Sequence, residues 1–312
     1  MNTLVSIIIP VYNREKTLQR LFQSLVLQDY RPLEVILVDN ASTDASLEIC
    51  NEFKSGHSSS DFDIICVSEE RRGASAARNK GLNVSKGKYV SFFDSDDEMS
   101  SNFISEMAGK LDRNMTADIV VSKALMVFED GRVKRRVGWE NATVAEHILA
   151  SIISTQSFVC RRDFIKKIGG WNESLSIWVD YELGIRILLK SENIIWYNKY
   201  FHKIHQHSES LTGDSFSSHS NEIFNSLEAI RTLVENDSPE CNLQTNMNAL
   251  YFRTKIIAGQ FIKEGDLDSA KYIERFAESF NVTKLKKLKG RFLTWYQKNF
   301  GYGVWLLAIK LL

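Results

Sequence analysis

Three carboxylates stand within four residues at Asp94-Ser95-Asp96-Asp97. Held that close they repel one another, and the repulsion is relieved by a cation or by a helix N-terminus. Hard divalent ions such as Mg²⁺ and Mn²⁺ prefer oxygen ligands, keep some water and share phosphate oxygens with a substrate. The plainer reading of the same residues is a solvated turn that caps the helix beginning near Ser100. A second reactive stretch, His202 to Thr212, holds three of the six histidines. A neutral imidazole there can complete a metal's shell. Zinc is disfavoured, because catalytic zinc needs three fixed protein ligands and the cysteines lie elsewhere.

The elements around these residues are legible from periodicity. Four apolar runs, 4–9, 33–38, 62–67 and 89–93, alternate with segments of helical spacing in the first hundred residues. Runs this continuously apolar suit parallel strands covered on both faces. Such sheets bind ligands at the carboxyl ends of their strands. Pro10 to Tyr12, Asp39 and Asp94 to Asp96 each fall where a strand ends. Residues 115–215 are mixed, with strands over Ile119–Val121 and Ala124–Phe128, an Asp130-Gly131 turn and a helix over Glu182–Lys190. From about residue 218 the pattern is helical to the end.

In order along the chain stand Ile7-Ile8-Ile9-Pro10-Val11-Tyr12-Asn13, Val38-Asp39-Asn40-Ala41-Ser42-Thr43-Asp44, Gly73-Ala74-Ser75-Ala76-Ala77-Arg78-Asn79-Lys80-Gly81 and Phe92-Phe93-Asp94-Ser95-Asp96-Asp97. Ile168-Gly169-Gly170-Trp171-Asn172-Glu173 and Val179-Asp180-Tyr181-Glu182-Leu183 follow. Over about residues 4–215 this series resembles the family 2 glycosyltransferases of the GT-A fold. The resemblance implies an α/β chain with a doubly wound, mainly parallel sheet, flanking helices and a helical C-terminal extension. Residues 1–100 would form the nucleotide-binding half, 101–217 the acceptor-binding and catalytic-base half, and 218–312 the extension.

The resemblance also implies roles. Asp39 would accept hydrogen bonds from the donor's base and Tyr12 would stack on it, with Pro10 shaping the turn; a carboxylate acceptor suits a uracil N–H. Asp94 would meet the donor ribose, with Ser95 beside it in the donor site. Arg78 would contact the diphosphate or brace the acidic loop, with Arg72 as a second cation. Asp96 would bind Mn²⁺ or Mg²⁺, and His207, followed by Ser210, would reach the same ion, with His205, which stands where many relatives carry Arg, as the alternative at the metal or as a phosphate contact. Asp97 would orient Asp96. Asp180 would be the general base of an inverting transfer, a step worth about 10²–10⁴ in rate. By residue type alone, Asp180 reads more readily as a helix cap. Relatives often carry Glu just before that Asp, where this chain has Val179. Trp171, Trp178 and Glu182 would meet the acceptor.

Composition narrows the partners. Thirty-nine basic residues balance thirty-nine acidic ones, which excludes the overall positive field of a typical nucleic-acid binder. The four cysteines show no CxxC pair, as expected of buried thiols in a reducing cytoplasm. No apolar stretch is long enough to span a bilayer. The tail 302–312, with aromatics and a preceding basic cluster, is read as a final helix packed on the body, with peripheral membrane contact as the alternative. The expected partners are therefore a UDP-sugar donor and a glycan or lipid-linked glycan acceptor, and the helical third offers surface for a homo-oligomer. Two other classes share the chemistry: a sugar nucleotidyltransferase, which would need a Gly-rich basic loop that Pro10-Val11-Tyr12-Asn13 does not supply, and a non-catalytic sugar-nucleotide binder. No Gln-X-X-Arg-Trp segment of processive synthases occurs.

Overall fold

A computed structural model describes residues 2–135, 140–206 and 215–312. Two units are distinguished: Met1–Asn141 with Ile153–Leu183 and Lys190–Ser208, and Ala142–Ile152 with Gly184–Leu189 and Glu209–Leu312.

The first unit carries the sheet. Its strands are β1 (Val5–Val11), β2 (Leu33–Asp39), β3 (Phe62–Ser68), β4 (Tyr89–Phe92), β5 (Glu98–Met99), β6 (Ile119–Val127), β7 (Val133–Arg135), β8 (Phe158–Arg161) and β9 (Ile194–His205). The order is β3-β2-β1-β4-β8-β6-β9-β5, with β7 paired to β6. The four N-terminal strands run parallel, as their uninterrupted apolar runs require, while β8 is antiparallel to both β4 and β6. Between Phe128 and Arg132 the chain turns through Gly131 at φ 80°, the expected Asp130-Gly131 turn before β7.

Register decides what the strand ends present. Val11 lies opposite Asp39, so β1 and β2 finish level, while β4 accompanies β1 only from Val5 to Ile8. Pro10 therefore sits where β1 is paired on one side alone, a place where a missing N–H is tolerated. Helix α1 (Leu18–Val26) buries Leu18, Leu21, Phe22 and Leu25, and Phe22 stacks on Phe53 of α2 (Ser46–His57) at 3.9 Å. Helix α3 (Ala74–Val84) is built from small residues because it lies close to the sheet. A Cβ at Gly81 would stand 2.3 Å from Ile8 Cγ2. Helix α4 (Phe103–Arg113) buries Phe103, Ile104 and Met107.

Three short helices follow: α5 (Val144–Ala150), with a complete Thr143–Glu146 capping box, α6 (Arg162–Lys167) and α7 (Val179–Lys190). The second unit is completed by α8 (Ser220–Asp237), α9 (Glu240–Glu264), α10 (Leu267–Glu278), α11 (Lys284–Asn299) and α12 (Val304–Leu311). Helix α9 is its axis, burying Leu250, Phe252, Ile257 and Phe261. It crosses α11 so closely that a Cβ at Gly259 would meet the Thr294 carbonyl oxygen at 2.5 Å. No helix among the described residues is long and apolar enough to cross a membrane.

Candidate active site

At the carboxyl edge of the parallel strands, backbone polar groups leave the ladder and need partners. Asn13 at φ 50° and Ala41 at φ 59° turn the chain sharply after β1 and β2. The two loops are tied together, for Thr43 N–H donates to Asn13 Oδ1 at 2.8 Å and Arg14 N–H to Ser46 Oγ at 2.7 Å. Asp39 is buried, and its Oδ1 accepts the Ser42 N–H at 3.3 Å. Asn40 extends the platform by donating to the carbonyls of Glu69 and Arg71, while its Oδ1 accepts the Gly73 N–H. Tyr12 keeps 42% of its surface open, and the guanidinium of Arg72 lies 5.5 Å from its ring.

The acidic turn after β4 is gripped from three directions. From α3, Arg78 Nη2 donates to Asp94 Oδ1 at 2.6 Å, and its guanidinium lies 4.4 Å over the Trp171 ring. From the stretch before β8, Gln156 Nε2 donates to Asp94 Oδ2 at 2.9 Å and also to Asp97 Oδ2. From α1 and the loop into it, Thr17 Oγ1 donates to the Ser95 carbonyl and Arg20 Nη2 to the Asp96 carbonyl, while Arg14 Nη2 stands 3.5 Å from Asp96 Oδ2. Asp97 is buried and also accepts the His205 N–H at 2.8 Å. It does not cap α4, which starts at Phe103 with Asn102 at its cap.

Burial pushes the Asp94 carboxyl up, against the pull of Arg78, and the charges of Asp96 and Asp180 push it further. Burial also sets Asp97 well above the carboxylate range, with Asp96 and Asp94 adding to it. Burial, ahead of mutual repulsion, thus disfavours the charged form of both carboxyls. Two further buried donors of Arg78, Nε and Nη1, have no partner among the described residues. Among those residues no group of three His, Cys, Asp or Glu side chains is arranged to hold a metal. The acidic turn offers oxygen donors of the kind a hard divalent ion prefers, and phosphate oxygens and water can complete its shell. His207 lies outside the described residues. His205 lies within 4.0 Å of Glu98, and burial, with Arg20 beside it, lowers its pKa.

Asp180 opens α7, where its Oδ1 accepts the Tyr181 N–H at 2.9 Å. The helix is entered through Trp178 at φ 57°, a conformation costly for a bulky residue and concentrated at functional sites. Trp178 lies half-buried, edge-on to the buried Tyr181 at 5.8 Å. Glu182 is 4% exposed. Trp171 is 2% exposed, with Phe92 edge-on at 5.1 Å and Arg78 across its ring. Its indole is thus a floor under Arg78 and has little surface left for an acceptor. The Gly170–Glu173 segment is pinned to α3, because Asn79 exchanges hydrogen bonds with the Trp171 backbone and also donates to Glu173.

Sequence reasoning passed over Arg14, Arg20 and Gln156. Arg14 follows Tyr12-Asn13 directly and was open to notice. Gln156 gave a fainter signal, a long amide in the otherwise small-polar and apolar stretch Ile152–Val159.

Residues 6–169 match the model of the family described as glycosyl transferase family 2. Over 117 residues the chain is 41% identical to the glycosyltransferase GlyA of Streptococcus pneumoniae serotype 4, covering 38% of this chain and 16% of GlyA. Over 225 residues it is 30% identical to the minor teichoic acid biosynthesis protein GgaA of Bacillus subtilis, covering 68% of this chain and 50% of GgaA. The matched stretches thus span half or less of either relative's length. In fold the chain is similar to residues 1–349 of S. aureus TarS, solved in complex with UDP-GlcNAc. The TM-score is 0.65 at 19% identity, over 88% of this chain and 91% of that one. A mainly parallel sheet that carries the buried Asp39 and an acidic turn at the carboxyl ends of β2 and β4 agrees with these likenesses: the fold is of GT-A type, and the chain belongs to glycosyl transferase family 2.

Proposed function

We propose that the protein transfers a monosaccharide, with inversion, from a UDP-linked donor to an acceptor hydroxyl during assembly of a surface glycan. The observation that carries this reading is the acidic turn at the end of β4, where Arg78 Nη2 holds Asp94 Oδ1 at 2.6 Å, on the same strand edge as the buried Asp39 that ends β2. The charge of Asp180, which also bears on Asp94, supports a role for this third carboxylate at the same site. The UDP-GlcNAc complex of TarS supports the donor class, and GgaA's teichoic acid role supports the glycan acceptor.

In this reading Asp39 accepts a hydrogen bond from the base and Tyr12 stacks on it, with Arg72 closing from beyond the ring. Asp94, fixed by Arg78 and Gln156, meets the ribose beside Ser95. Asp96 would hold Mn²⁺ or Mg²⁺, and such an ion would neutralise charge growing on the diphosphate. Arg14 and Arg20 steady Asp96 from the α1 side. Asp180 takes the proton of the acceptor hydroxyl as its oxygen attacks the anomeric carbon and the bond from that carbon to the diphosphate oxygen breaks. Trp178, half-buried, shapes the acceptor side; Glu182 at 4% exposed is as covered as Trp171 and supports that side from within, while Trp171 acts through Arg78. His207 keeps its proposed place near the ion.

Asp180→Asn keeps the shape and removes the base. Expected is a loss of transfer of about 10²-fold or more, with UDP affinity by calorimetry within about threefold of the parent. Near-normal turnover would exclude Asp180 as the base.

A further inference from the structure

Helix α11 has two apolar faces, of which its own unit covers one. Gly290, Leu293 and Gln297 are buried towards α9. On the opposite arc Leu285, Leu288, Phe292 and Trp295 are 61%, 63%, 43% and 52% exposed. Their spacing of three, four and three residues makes a single stripe along the helix. The stripe continues into the loop, where Phe300 is 58% and Tyr302 85% exposed. The rings touch: Phe292 stacks with Trp295 at 5.8 Å, and Trp295 meets Phe300 edge-on at 5.6 Å. A contiguous exposed patch of this kind calls for a partner.

Charge identifies it. At 100° per residue Lys284, Lys287, Arg291 and Lys298 fall together on one flank of the stripe, and all four are exposed. No Asp or Glu follows Glu278. The chain as a whole is neutral, so the concentration of cations here is local. Two copies of this face would bring like charges together, which argues against self-association. Leucines and aromatics beside Lys and Arg suit the boundary of an anionic bilayer, with rings at headgroup depth and cations on lipid phosphates.

We propose that the α11 stripe and the Phe300–Tyr302 loop dock the protein on an anionic lipid surface. This moves the contact away from the tail helix. Helix α12 buries Val304 and Ala308, and the ammonium groups of Lys286 and Lys289 cap its last carbonyls. The inference stands on the helical unit and is independent of the chemistry assigned to the acidic turn.

The test is co-sedimentation of the full chain with vesicles of phosphatidylcholine alone and with about one third phosphatidylglycerol. Anionic vesicles should bind the protein at least tenfold better than neutral ones. Phe292→Ser with Trp295→Ser should reduce binding at least tenfold. Lys287→Gln with Arg291→Gln should reduce it by about fivefold per charge and make the remaining binding less sensitive to salt than the parent's. These positions are exposed, and unchanged circular dichroism and melting temperature establish that the variants fold. If the aromatic pair does not fold, the charge pair alone decides. Equal binding to both vesicles, no binding to either, or full binding by the variants would overturn the proposal. So would a concentration-dependent dimer that the aromatic substitutions abolish.

Discussion

Arg78 is the cation on which the geometry of the acidic turn most depends, and Arg78→Met measures how much. The substitution keeps much of the volume and the Trp171 contact but removes the charge and the 2.6 Å bond to Asp94. A hydrogen bond to a charged group contributes roughly 1.5–3 kcal/mol, and a guanidinium over an indole contributes about 0.5–2 kcal/mol. Against these, the Asp94 side chain is 30% exposed, so it regains some water. Burial already raises its carboxyl, so it takes up a proton more readily once its partner has gone. The net loss should be about 2–4 kcal/mol, below the full 3–5 kcal/mol of breaking a deeply buried pair. Arg78→Lys, which keeps the charge but not the planar fork, should lose about half as much. Urea unfolding followed by tryptophan fluorescence is the assay, with Trp171, Trp178 and Trp196 reporting on the sheet unit. The two units' transitions must be fitted separately. UDP affinity is measured on the same variants. A fully stable Arg78→Met that no longer binds UDP would refute the reasoning, because the guanidinium would then serve the ligand and not Asp94.

Gln156→Leu removes the amide shared by Asp94 and Asp97 and should cost about 2–4 kcal/mol by the same urea assay, since two acceptors lose a donor at once; a loss under about 0.5 kcal/mol would mean the amide is not holding the turn. With Mn²⁺ and saturating UDP the parent should melt several degrees higher, by roughly 2.7 kcal/mol of added stability at 100 times Kd. Asp96→Ala should lose the Mn²⁺-dependent part, and an unchanged shift would move the ion elsewhere. Alkaline stability tests the core below the site. Tyr30 donates to the Thr3 carbonyl and Tyr89 to Asp112, and burial foremost pushes both hydroxyls up to about 12. An unfolded tyrosine ionises near 10. Between pH 10 and 12 the folded chain therefore keeps protons that the unfolded chain releases, and stability falls as pH rises. Phe at both positions should flatten the urea midpoint across that window; an equally steep fall would show that these hydroxyls are not responsible.

The strand ends that line this site are legible in the sequence, because burial and chain direction leave a local record. Continuous apolar runs marked β1 to β4 as covered parallel strands, and their ends put Tyr12, Asp39 and Asp94 on one edge. The small residues of α3 let it lie close to the sheet, where a Cβ at Gly81 would meet Ile8. What the sequence could not carry was pairing between residues far apart along it. Gln156 reaches the acidic turn because β8 enters the sheet antiparallel beside β4. Trp171 lies under Arg78 because Asn79 pins the Gly170–Glu173 segment to α3, and so an expected acceptor contact is a buried support. Nothing within the Val179–Leu183 motif shows that the charge of Asp180 bears on Asp94. Helical spacing records which face of an element is covered, but which element covers it depends on strand order and register, and those are settled only by the packed whole.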